Sequence, residues 1–214
     1  MPNAGYTDTR TAVGTELTKE TGLKFTAEQI IMTCGAGGAL NVVFKSLLDP
    51  GDEVVIFAPY FVEYLFYVDN HGGSCKVIPP DENFIPNYSA FERTISPKTK
   101  IVLINSPNNP TGVVYSSIVI KTLVDIIQRK ESEYGIQITL LSDEPYRKIL
   151  FDKMEYPHIF GHHPRSIVAT SHSKDIAIPG ERIGFIAVSP EFEDMENLVD
   201  ALTFCNRTLG FVSA

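Results

Sequence analysis

Short apolar runs alternate along this chain with longer stretches in which apolar residues recur every three to four positions. Glu53-Val-Val-Ile-Phe57, Cys75-Lys-Val-Ile78, Lys100-Ile-Val-Leu-Ile-Asn105, Gln137-Ile-Thr-Leu-Leu-Ser142, Ile167-Val-Ala-Thr170 and Ile183-Gly-Phe-Ile-Ala-Val188 are nearly continuous in apolar residues. Such runs predict strands buried on both faces. Gly38 to Leu48 predicts a helix, closed by Asp49-Pro50-Gly51. Ser116 to Lys130 places Ile118, Ile120, Leu123, Ile126 and Ile127 near one helical face. Phe61 to His71 and Pro190 to Thr208 are further helix candidates. This alternation predicts an α/β fold of three layers, α/β/α, with a mostly parallel (mixed) central sheet covered on both sides.

Sheets of this kind bind ligands at the carboxyl ends of their strands. The unusual residues of the chain cluster there. Asn105-Ser-Pro-Asn-Asn-Pro-Thr-Gly112 follows one strand, Ser142-Asp-Glu-Pro-Tyr146 a second, and Ser171-His-Ser-Lys174 a third. Three strand ends thus offer an amide, a carboxylate and an amine to one crevice.

Composition narrows the class. The 214 residues are 43% hydrophobic, enough for a sizeable core, and the formal net charge is −8. No basic block is present, which argues against nucleic acid or an anionic membrane as partner. No apolar run approaches the ~20 residues of a membrane span, and the N-terminus has no signal-peptide pattern. Cys34, Cys75 and Cys205 are an odd, scattered set. They suit a reducing cytoplasm better than a disulfide framework, and no cysteine–histidine spacing predicts a metal site.

Each motif taken alone has an ordinary reading. Asn108-Asn-Pro-Thr-Gly112 suits a simple turn. Asp143 before Glu-Pro suits a helix N-cap. Phe61, or its neighbour Tyr60, suits a core aromatic. Lys174 suits a solvated surface charge. Gly35-Ala36-Gly37-Gly38 is a glycine-rich turn without dinucleotide-binding spacing. The informative fact is that four of them occur in one order: Thr33-Cys-Gly-Ala-Gly-Gly-Ala-Leu40, Asn108-Asn-Pro-Thr-Gly112, Asp143-Glu-Pro-Tyr146, and Ser171-x-Ser-Lys174 with Gly180-x-Arg182-x-Gly184.

With these motifs in this order the chain resembles the class I/II aminotransferases, the fold-type I enzymes that use pyridoxal 5′-phosphate (PLP). The resemblance runs from about Gly5 to the end. It implies a PLP-dependent transferase-like large domain over residues 1–214. Lys174 would form the internal aldimine and later carry a proton at the substrate Cα. Asp143 would hold the pyridine nitrogen protonated. Tyr146 and Asn109 would donate to the cofactor 3′-oxygen. Gly35, Ala36 and Gly37 would form the phosphate loop with Ser171, Ser173 and Arg182. Phe61 would stack on the ring. His172 departs from the apolar or small residue usual at its position.

The same resemblance implies an amino acid and a 2-oxo acid as substrates, a homodimeric full-length parent and a cytoplasmic location. It leads us to expect that an N-terminal arm and a C-terminal small domain lie outside these 214 residues, and that the isolated chain is inactive. A lyase on the same scaffold, of the C–S lyase kind, shares every motif. A non-catalytic aminotransferase-like binding module is the third reading.

Overall fold

The computed structural model describes residues 2–210. Seven strands form one sheet: β1 (Ile30–Cys34), β2 (Glu53–Phe57), β3 (Ser74–Ile78), β4 (Thr99–Asn105), β5 (Thr139–Asp143), β6 (Ser166–Ser171) and β7 (Ile183–Val188). Their order is β1-β7-β6-β5-β4-β2-β3. Strands β3, β2, β4, β5 and β6 pair in parallel, and β7 runs antiparallel to both β6 and β1. The mostly parallel, mixed sheet expected from the apolar runs is therefore present.

Seven helices accompany it among the described residues: α1 (Thr7–Thr21), α2 (Gly35–Leu47), α3 (Glu63–Asp69), α4 (Tyr88–Thr94), α5 (Ser117–Tyr134), the single turn α6 (His172–Asp175) and α7 (Met195–Thr208). Alternate residues of each strand face opposite helical layers. Val55, Val102, Leu140, Val168 and Phe185 pack into one core with Leu17 of α1, Phe91 of α4 and the Ile120, Leu123, Ile127 stripe of α5. Val54, Ile56, Leu103, Leu141 and Ile186 pack into the other with Val43 and Phe44 of α2, Tyr64 and Val68 of α3, and Leu202 of α7. Two buried cores, one on each sheet face, make the third layer obligatory.

Several boundaries differ from the sequence reading. Helix α2 begins at Gly35, not Gly38, because the chain passes from β1 straight into the helix. The glycines expected as a loop are its first turn. Helix α7 begins five residues after Pro190; the intervening segment buries Phe192 and ends on Asp194 in the left-handed region (φ 59°). Helix α5 extends to Tyr134 and closes on Gly135, whose φ of 65° suits glycine. Strand β1 and helices α1 and α4 have no clear apolar period. Helix α1 buries only Gly14 and Leu17, and six of its fifteen residues are threonine. Helix α4 starts on the Asn87 side chain, which accepts from the Ala90 N–H.

Candidate active site

The carboxyl ends of β4, β5 and β6 meet the N-terminus of α2 at a crevice of about 250 Å³. Ala36, Gly37, Phe61, Asn109, Asp143, Tyr146, Ser171, Ser173, Lys174 and Arg182 all line it. Every residue singled out from the sequence is thus in one place, with Gly35 immediately behind. Phe61 is in the lining. Tyr60 and Phe61 both pack against the core beneath, and only Phe61 reaches the crevice lining.

Asp143 is the last residue of β5, and no helix follows it, so the N-cap alternative does not hold. Its carboxylate is buried. Oδ2 accepts a hydrogen bond from the Tyr64 hydroxyl at 2.5 Å, and Oδ1 has no partner. Burial pushes the Asp143 carboxyl up to about 6, against the pull of the Tyr64 bond. An ionisable oxygen left bare in a crevice wall is costly unless a donor arrives from the crevice.

Asn105 ties two strand ends together. Its Nδ2 donates to the Asp143 carbonyl at 2.9 Å, and its Oδ1 accepts the Asn109 N–H at 2.7 Å. Asn108 shapes the turn: its Oδ1 accepts from the Thr111 N–H and hydroxyl. Asn109 is left free to face the crevice. Tyr146 lies across from it, its hydroxyl pushed up by burial and by the Asp143 charge.

At the other end Arg182 reaches over the start of α2. A Cβ on Gly35 would lie 2.8 Å from the Arg182 Nη2, and Gly35 has φ 71°, so only glycine leaves this approach open. Gly184 is tighter still: a Cβ there would meet the Thr170 carbonyl oxygen at 2.5 Å and the Gly35 carbonyl carbon at 2.6 Å. Arg182 Nη1 donates to the Pro179 carbonyl at 3.1 Å. Neither Arg182 nor Lys174 forms an ion pair with a described residue. Guanidinium, two serines and the first N–H groups of a 13-residue helix form an end suited to a phosphate.

A profile of the family described as aminotransferase class I and II matches residues 1–214. The chain belongs to the class I and II aminotransferases. It is 38% identical over 200 residues to the probable aspartate aminotransferase of Methanocaldococcus jannaschii, covering 93% of this chain and 51% of that protein. It is 36% identical to the probable aspartate/prephenate aminotransferase of Thermus aquaticus, covering 86% of this chain and 47% of that protein. Among solved structures, an amino transferase from Eubacterium rectale superposes with a TM-score of 0.97 at 38% identity, covering 100% of this chain and 54% of that one. An aspartate aminotransferase variant from Thermus thermophilus gives 0.86 at 32%, covering 97% and 54%. The chain spans about half the length of the curated relatives it matches.

Class I and II aminotransferases use PLP, and the crevice residues fit its parts. The bare Asp143 oxygen suits a ring N–H, the glycine cradle under Arg182 suits a phosphate, and Lys174 offers an amine between them.

Two lining tyrosines were missed in the sequence: Tyr64 and Tyr67. Tyr64 anchors Asp143, and the Tyr67 hydroxyl lies 3.1 Å from where a Gly37 Cβ would be. Their i, i+3 spacing places both on one face of α3, just after Phe61, and that spacing was the available signal.

Proposed function

We propose that residues 1–214 form the PLP-binding large domain of an aminotransferase that moves an amino group from an amino acid to a 2-oxo acid. The observation that carries this is the unpartnered Asp143 Oδ1 in a crevice that also presents Lys174 and Arg182. When bound, PLP supplies a carbonyl that takes up the amino group and an electron-poor ring that spreads the charge left on the substrate Cα.

The chain's own groups divide the remaining work. Asp143 Oδ1 accepts the ring N–H and keeps that nitrogen protonated. The cationic partner lowers the Asp143 carboxyl from about 6, so it is ionised at neutral pH. Arg182, Ser171, Ser173 and the N–H groups of Gly35 to Gly37 hold the phosphate. Asn109 and Tyr146 donate to the ring oxygen, and Phe61 covers the ring face. Lys174 Nζ is the amine that would hold the cofactor at its carbonyl carbon, and when free it would accept and return the proton at the substrate Cα.

Among the described residues, Lys174 and Arg182 are the only Lys or Arg side chains lining the crevice, and both are used by the cofactor. We propose that the group that grips the substrate α-carboxylate is not among these lining residues. We propose that the 214-residue chain binds PLP without ordinary turnover. The test is to add PLP, record the visible absorbance band, reduce with borohydride and map the peptides. The pyridoxyl label should fall on Lys174. Label on another lysine with Lys174 unmodified would sink the reading.

A further inference from the structure

Tyr156 is not among the residues that the proposed function uses. Its hydroxyl donates to the Ser106 carbonyl at 3.0 Å, across 50 residues of sequence. A phenol has one proton to give, and this one is spent on a backbone carbonyl.

Ser106 is the root of the turn that carries Asn109. Its neighbour Asn105 grips both the Asp143 carbonyl and the Asn109 N–H, and the Ser106 hydroxyl accepts from the Tyr115 N–H at 2.9 Å. We propose that Tyr156 is a positioning residue: its bond to the Ser106 carbonyl holds the Asn105–Gly112 turn against the Asp143 strand end and sets how Asn109 enters the crevice. Only the task of Asn109 toward the cofactor rests on the PLP reading; the brace itself does not.

Hydrogen exchange on the cofactor-free chain tests this. Tyr156→Phe should speed exchange of the Asn109, Thr111 and Gly112 amides by roughly three- to tenfold, the loss of about one hydrogen bond, with strand β2 unchanged. Unchanged turn exchange in Tyr156→Phe, or equal acceleration in the turn and in β2, would overturn the proposal. In the PLP-loaded chain, Tyr156→Phe should move the pH midpoint of the visible band upward, in the direction of Asn109→Ala and less far. A midpoint moved by Asn109→Ala and untouched by Tyr156→Phe also overturns it. A wild-type chain with no band refutes the PLP reading alone, and the exchange result still decides the brace.

Discussion

The Tyr64 hydroxyl of α3 donates to Asp143 Oδ2 at 2.5 Å, across 79 residues of sequence. It holds the carboxylate by one oxygen and leaves the other facing the crevice. The bond favours the ionised carboxylate. Tyr64→Phe should therefore push the Asp143 carboxyl higher and destabilise the cofactor-free chain by about 1–3 kcal/mol at pH 8. The cost at pH 5, where the carboxyl is largely protonated, should be smaller. Urea denaturation at the two pH values checks this; equal costs would show that the tyrosine acts by packing alone.

Asp143→Asn should separate stability from function. Burial lifts the folded carboxyl to about 6, above its ordinary value near 4. Its contribution to stability is thus complete below about pH 4 and is lost as pH rises through 6. Asparagine carries no such penalty, so the variant should be more stable than wild type at pH 8, by on the order of 2–3 kcal/mol, and similar at pH 4. In the full-length parent the same change should slow turnover on the order of a hundredfold or more, through loss of an ionic hydrogen bond. Denaturation curves and parent turnover, measured together, test both halves.

Arg182→Ala should weaken PLP binding by roughly ten- to a hundredfold, the loss of a charge-assisted contact to phosphate. Arg182→Lys should recover only part of it, since a point charge replaces a planar fork. Spectroscopic titration with PLP, with inorganic phosphate as competitor, is the measurement. Equal affinity in all three proteins would remove Arg182 from the phosphate end.

Gly184→Ala should cost about 1–3 kcal/mol, because its Cβ would press on the backbone of Thr170 and Gly35, neither of which is a flexible side-chain end. It should also weaken PLP binding, since Gly35 opens the phosphate end. Gly180→Ala, whose Cβ meets nothing within 4 Å, is the control and should do neither. Thermal melts and PLP titrations of the pair decide the matter.

Much of the site was legible in the chain because its residues sit at strand ends, and strand ends are local features. The runs ending at Asn105, Ser142 and Thr170 are nearly continuous in apolar residues, so the polar residues after them had to emerge at one edge of the sheet. Helices α1 and α4 and strand β1 were not legible in the same way. The helices bury few side chains and show no apolar period, and β1, though buried, is a five-residue strand; packing against α5, β7 and the Thr26–Gln29 cap holds them.

The amino-acid sequence by itself determined the layered α/β class, the order of the motifs and the identities of Lys174, Asp143, Asn109 and Arg182. The tertiary structure decided which oxygen of Asp143 is held and which is bare, which aromatic of Tyr60 and Phe61 reaches the crevice, and why Gly35 and Gly184 admit no side chain. It also brought Tyr156 to Ser106. The reason is physical: apolar periodicity specifies which face of an element is buried, whereas a hydrogen bond between residues 50 or 79 positions apart depends on how two helical layers seat on one sheet.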